Sequence, residues 1–307
     1  MGWLGWTATA LLIVATALFG GWRYARATGA VGLLDLADRT LSGTDGTLIV
    51  ARGARYGPVP AQRLDIIAPT TPGQHPVLVF IHGGSWNSGR PEDYHFIGRV
   101  FARAGYVVVL PGYRLGHEGI YPRMLEDGAM AVDWTAKNIA RFGGDPDQVV
   151  LMGHSAGAHT VVMLALERQW LGRHGLPDGF VKGVVGLSGP YDFYPFTSDS
   201  ARAAFGHVAY PKLTQPITFA RSNAPPMLLL TGDADTTVKP RNSKALAKAL
   251  LDKGSRADLV ILPGVDHAGP VLKLAQPFAR DASVTSPVLG FLASLRLPSA
   301  PVQAVAE

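Results

Sequence analysis

The chain has 307 residues, of which 47% are hydrophobic and 17% charged, with 36 glycines, 23 prolines and no cysteine. That size and composition exclude a short peptide, a disulfide-stapled miniprotein and a disordered chain, and the missing thiols exclude cysteine nucleophiles and cysteine-ligated metal centres. The 28 Lys and Arg against 23 Asp and Glu leave a net charge of +5 with no basic block, so no nucleic-acid partner is expected.

Residues from Trp3 to Trp22 carry no charge, and a helix of that length rises about 30 Å, enough to span a hydrocarbon core. Trp3 and Trp6 stand at one end, Trp22 and Tyr24 at the other, where interfacial aromatics belong. Ala25-Arg26-Ala27 offers a small-x-small cleavage site, but no Lys or Arg precedes Trp3 and the apolar run is longer than a signal-peptide core. Residues 1–26 are therefore expected to form a single-pass membrane anchor. Arg23 and Arg26 leave open which side of the membrane the rest of the chain faces.

Residues 27–57 read as a linker ending in the first strand region, 58–298 as one α/β domain and 299–307 as a tail. Within the domain, short apolar runs predict strands at Val77 to Ile81, Tyr106 to Leu110, Val149 to Met152, Val181 to Leu187, Met227 to Thr231 and Leu259 to Leu262. Helical patterns separate them at Tyr94 to Ala104, Arg123 to Arg141, Ala156 to Trp170, Arg241 to Lys253 and Ser286 to Leu295. Continuous Val, Ile and Leu runs alternating with helices predict a mostly parallel sheet covered on both faces, with function gathered at the carboxyl ends of its strands.

Four strand ends carry chemistry. The run to Met152 enters Gly153-His154-Ser155-Ala156-Gly157 and then a helical pattern, the strand-turn-helix setting of an exposed nucleophilic serine. Ile81 leads into His82-Gly83-Gly84-Ser85-Trp86, whose paired glycines let backbone N–H donors approach a developing oxyanion. Downstream, Gly232-Asp233-Ala234-Asp235 and Asp266-His267 follow further strands in the order serine, acid, histidine. His267 is the candidate general base. His82 and His154 flank the other motifs, and His75, His95, His117, His174 and His207 read as loop or surface residues.

These motifs, together with Tyr113-Arg114-Leu115 and Phe142-Gly143-Gly144-Asp145-Pro146, resemble the α/β-hydrolase superfamily over roughly Val59 to Leu295. The resemblance is to its esterase/lipase branch, which includes hormone-sensitive-lipase-like carboxylesterases, feruloyl and acetyl-xylan esterase-like proteins and kynurenine formamidases. It implies an α/β-hydrolase catalytic domain with Ser155 as nucleophile, His267 as base and Asp235, the fourth residue of Gly-x-x-Asp, as acid. Asp233 would brace its loop, while Asp127, Tyr113 and Arg114 would brace the sheet and helix beneath the site. The oxyanion donors would be Ala156, Gly84 and Ser85. Ser85 stands where lipase-like members carry a third glycine, which with the lack of a long lid after Leu187 points to small carboxylic esters. No metal or organic cofactor is expected; the partners would be a small ester and, through the N-terminal helix, a membrane. An amidase, formamidase or peptidase with the same triad, or a non-catalytic membrane-tethered binding module, are the alternatives.

Overall fold

The computed structural model describes residues 31–276 and 278–295. The expected membrane anchor and the tail from 299 lie outside these residues. Among the described residues no helix is long and apolar enough to cross a membrane.

Helix α1 covers residues 31–42 of the described chain. Strands β1 (Thr47–Arg55), β2 (Arg63–Pro69) and β3 (His75–Ile81) follow, then α2 (His95–Arg103), β4 (Val107–Pro111), α3 (Arg123–Asn138), β5 (Gly144–His154) and α4 (Ala156–Leu166). The remainder comprises α5 (Gln169–Gly172), β6 (Val181–Leu187), α6 (Asp199–Phe205), β7 (Met227–Gly232), α7 (Arg241–Asp252), β8 (Ala257–Leu262), α8 (Gly269–Leu272) and α9 (Thr285–Ser294). The strands form one sheet in the order β1-β2-β4-β3-β5-β6-β7-β8, antiparallel at β1–β2 and β2–β4 and parallel from β4 onward.

The apolar runs are continuous because both faces of these strands are buried. Successive side chains alternate faces: Val77, Val79 and Ile81 pack with Leu125 and Val132 of α3 and Val161 of α4, whereas Leu78 and Phe80 pack with Phe96 and Phe101 of α2 and Phe291 of α9. The chain leaves β3 toward β4 on one side and returns to β5 on the other. This reversal opens a crevice beyond the carboxyl ends of β3 and β5, the location where ligands bind in open α/β sheets.

The described residues 31–57 hold a helix and a strand, α1 and β1. On α1, Asp38 is 1% exposed and accepts from Arg99 Nε and Nη2 at 2.9 and 2.7 Å and from the Gln276 N–H at 3.0 Å. Asp35 takes a further Arg99 bond at 2.8 Å, so α1 is held to α2 by charge as well as by buried Leu34. Strand β2 was not legible as an apolar run because Asp65 interrupts it. That carboxylate is buried and lies 2.6 Å from His95 Nε2, with the Gly53 N–H donating to it at 2.7 Å. His95 is thus a buried partner of Asp65 and not the loop or surface residue the sequence suggested. Burial pushes the Asp65 carboxyl up, but the bonds from His95 and Gly53 outweigh it and hold it below the usual range.

Candidate active site

The turn from β5 into α4 places Ser155 at φ 53° and ψ −119°, a conformation that costs a non-glycine residue energy and persists only where neighbours impose it. The imposition is visible. The Ser155 N–H donates to Leu187 O on the adjacent β6 at 2.8 Å. A Cβ on Gly153 would lie 2.5 Å from the Gly157 carbonyl carbon, and one on Gly157 would lie 2.0 Å from Ile81 O. Only glycine fits on either side of the serine. α4 begins at Ala156, where the helical pattern was expected to begin, and the Ser155 hydroxyl caps no helical N–H.

That hydroxyl instead lies 2.8 Å from His267 Nε2, in the loop after β8. The other ring nitrogen, Nδ1, is 2.8 Å from Asp235 Oδ2 in the loop after β7. A carboxylate can only accept, so the proton resides on Nδ1 and Nε2 presents its lone pair to the serine O–H. Asp235 Oδ1 accepts from the Thr237 and Val238 N–H groups at 3.0 and 2.8 Å, which fixes its orientation. Burial pushes Asp235 up, yet the His267 bond and these two amides outweigh burial and hold it ionised below the ordinary range. Asp233 points elsewhere: its Oδ1 accepts from the Gly264 N–H at 2.6 Å and braces the turn after β8.

The chain beyond β3 comes up against the nucleophile without a side chain. A Cβ on Gly83 would stand 3.1 Å from Ser155 Cβ and 3.0 Å from His154 O. Gly84, Ser85 and Trp86 all have positive φ, at 116°, 55° and 58°, and the Asn87 and Ser88 N–H groups close the turn onto Gly84 O at 2.9 and 3.0 Å. Among the described residues, the Gly84 and Ser85 N–H groups have no acceptor. Ala156 is the first residue of α4, and its N–H precedes the helical ladder. The base of the loop is held from below. The Tyr113 hydroxyl donates to His82 O at 3.0 Å, and the His82 ring stacks on Tyr113 and Tyr94. Deeper still, Arg114 pairs with buried Asp127 at 2.7 Å, and the Gln62 amide donates to the same carboxylate.

Ser155, Ser85 and Trp86 open onto a cavity of about 310 Å³ that is also lined by Pro190 and Phe193 and by Thr236 to Lys239, Arg241 and Asn242. A second cavity of about 720 Å³, lined by Gly84, Ile120 and Ala204, lies across Ser85 and Trp86, which line both. Of the aromatic residues after Leu187, Tyr191 and Phe205 are core, Phe193 lines the smaller cavity, and Tyr194 and Tyr210 are exposed. The segment includes one short α-helix, α6, of seven residues.

Two histidines carry more of the site than their sequence positions indicate. His154 donates from Nε2 to the backbone carbonyl of His267 at 3.0 Å, tying the serine turn to the loop that bears the base. His159, one helical turn after Ser155, is fully buried and faces Thr214 O at 2.8 Å, with its ring against Trp86, Phe193 and Phe205. The four-residue spacing from Ser155 on α4 was the available signal. Burial pushes His82, His154 and His159 down to about 4, so all three are neutral at pH 7.

The BD-FAE sequence family matches residues 64–250, which include the loop after β3, Ser155 and Asp235 and stop before His267. The chain belongs to the BD-FAE family of α/β-hydrolases. It is 30% identical over 240 residues to an isoprenylcysteine alpha-carbonyl methylesterase of Arabidopsis thaliana, covering 71% of this chain and 56% of that protein. It is also 31% identical over 215 residues to esterase LipQ of Mycobacterium tuberculosis, covering 63% of this chain and 50% of LipQ. The chain thus spans about half the length of these curated relatives. Among solved structures, esterase B from Lactobacillus rhamnosis superimposes with a TM-score of 0.74 at 19% identity over 94% of this chain and 95% of that one, a likeness of fold.

Proposed function

We propose that this BD-FAE member is a serine carboxylesterase that cleaves small esters through an acyl-enzyme. The observation that carries the proposal is the unbroken line from Ser155 Oγ to His267 Nε2 and from His267 Nδ1 to Asp235, 2.8 Å at each step, at the floor of a cavity. As the Ser155 oxygen attacks the ester carbonyl, its proton passes to His267 Nε2. The carbonyl π-electrons move to oxygen, and the resulting oxyanion is stabilised by the N–H groups of Ala156, Gly84 and Ser85. Collapse expels the alkoxide, which takes the proton from His267, and leaves Ser155 acylated. Water, deprotonated by the same nitrogen, then releases the acid by the reverse sequence. Asp235 keeps its negative charge throughout, holds the imidazole tautomer and stabilises the imidazolium.

The esterase names of the curated relatives support this chemistry. A cavity of about 310 Å³ stands at the lower end of the range for small-molecule sites, about 300–1,000 Å³, which favours compact acyl or alcohol groups. The test is kcat/KM on 4-nitrophenyl esters of rising chain length for the native chain and Ser155→Ala. Acetate to butyrate is expected to turn over fastest and Ser155→Ala to lose several powers of ten. A folded Ser155→Ala that keeps more than about a tenth of the rate would remove the serine from the reaction. Faster turnover of formamides or peptide amides than of esters would reassign the bond cleaved. Residues 3–22 are proposed as a membrane anchor, and release of the full chain by alkaline carbonate would refute this.

A further inference from the structure

The smaller cavity has an unbalanced charge. Lys239 and Arg241 are the charged residues among those that line it, and no aspartate or glutamate does. Both are exposed. Arg241 Nη1 lies 3.6 Å from Asp192, with both side chains more than 40% exposed, a separation and setting that hold an ion pair weakly. Lys239 has no carboxylate within 4 Å among the described residues.

An exposed lysine is ordinarily a solvated surface charge, and here the backbone sets this one apart. Asn242 is 3% exposed and joins the two walls of the cavity. Its N–H and its side-chain amide both donate to Lys239 O, at 3.0 and 3.1 Å. Its Oδ1 accepts from the Tyr191 and Asp192 N–H groups of the facing wall, at 3.0 and 2.9 Å. On the other side of Lys239, the amides of Thr237 and Val238 are bound by Asp235. The main chain that presents Lys239 is therefore fixed at both ends by groups belonging to the site. Hydroxyls of Ser85, Thr237 and Ser198 add neutral polar surface to the same cavity.

We propose that the ester hydrolysed here carries a compact anionic group, such as a carboxylate, which sits in this cavity against Lys239 and Arg241. This rests on the esterase proposal above. At about 310 Å³ the cavity has room for a short acid, and a cationic mouth of this kind also steers anions inward in a salt-dependent way.

The test uses the full-length protein and two pairs of substrates in a pH-stat, because the anion can belong to either half of the ester. The mono-4-nitrophenyl ester of glutaric acid against 4-nitrophenyl hexanoate places it on the acyl side. Acetoxyacetate against isobutyl acetate places it on the alcohol side. In at least one pair the anionic ester is expected to have the higher kcat/KM. That preference should fall about fivefold in Lys239→Met, further in Lys239→Met with Arg241→Met, and shrink as salt is raised. Equal or inverted preference in both pairs, or a preference that survives both substitutions, overturns the proposal while leaving the esterase assignment intact. Hydrolysis of none of the four esters, with no labelling of Ser155 by a phosphonate, overturns both.

Discussion

Acidification from pH 7.5 to pH 5 is expected to destabilise the protein before any carboxylate of the site titrates. His82, His154 and His159 are each buried and each pushed down to about 4, whereas in the unfolded chain a histidine titrates near about 6.5. Between those values the unfolded state binds more protons than the native one, so stability is lost as the pH falls. For one such group the loss between pH 7.5 and pH 5 is about 2 kcal/mol, and for three independent groups about 6 kcal/mol. That is a large part of the about 5–15 kcal/mol by which domains are ordinarily stable. Asp65 and Asp235 are held below their usual range, so their contributions are complete above the unfolded value near about 4 and are lost only below it. Urea unfolding followed by tryptophan fluorescence at pH 7.5, 6 and 5 measures the effect as a falling midpoint at constant slope. In His159→Phe the pH-dependent part should shrink by about a third, whatever the variant's stability at pH 7.5. A midpoint that stays constant down to pH 5, or moves only below pH 4, would refute the assignment of three neutral buried imidazoles.

Other outcomes can be stated more briefly. Asp235→Asn should lower kcat by about 10⁴ because an amide in place of the carboxylate favours the wrong imidazole tautomer, whereas Asp233→Asn should change mainly stability; the opposite pattern would mean that Asp235 is not the group that orients His267. Gly157→Ala should destabilise by more than about 3 kcal/mol, since its Cβ would meet Ile81 O at 2.0 Å; a variant as stable as the native chain in urea would contradict that packing. His154→Gln, which can still donate to His267 O, should retain more kcat than His154→Phe at similar KM, and equal losses in the two would show that the bond does not position the base loop.

The sheet was legible because strands buried on both faces spell out uninterrupted apolar runs, as at Val77 to Ile81. Ser155 and its glycines were legible because a turn this tight admits little else. β2 escaped because Asp65 interrupts its apolar run, and a buried hydrogen bond formed with a residue thirty positions away leaves no local trace. α1 escaped for a similar reason: its attachment depends on Arg99, distant in sequence, and its Gly and Asp content imitates a linker. The choice of Asp235 over Asp233 came from the Gly-x-x-Asp resemblance and not from residue chemistry, since both carboxylates accept backbone N–H groups and only Asp235 faces His267. The bond from His154 to a backbone carbonyl had no sequence signature at all.

Ser85 and Trp86 both occupy left-handed backbone, and for a residue with a side chain that conformation costs about 1–2 kcal/mol. Glycine at position 85 would relieve part of this, so the hydroxymethyl group persists against a local thermodynamic gradient. The same two residues stand between the two cavities, and the Trp86 indole packs edge-on against Phe205. Selectivity is therefore open to revision here without disturbing Ser155, His267 or Asp235. Trimming position 85 to glycine would remove one of the two side chains between the chambers and ease the backbone in the same substitution, giving the scaffold a mutational path toward a roomier site along which local strain falls instead of rising.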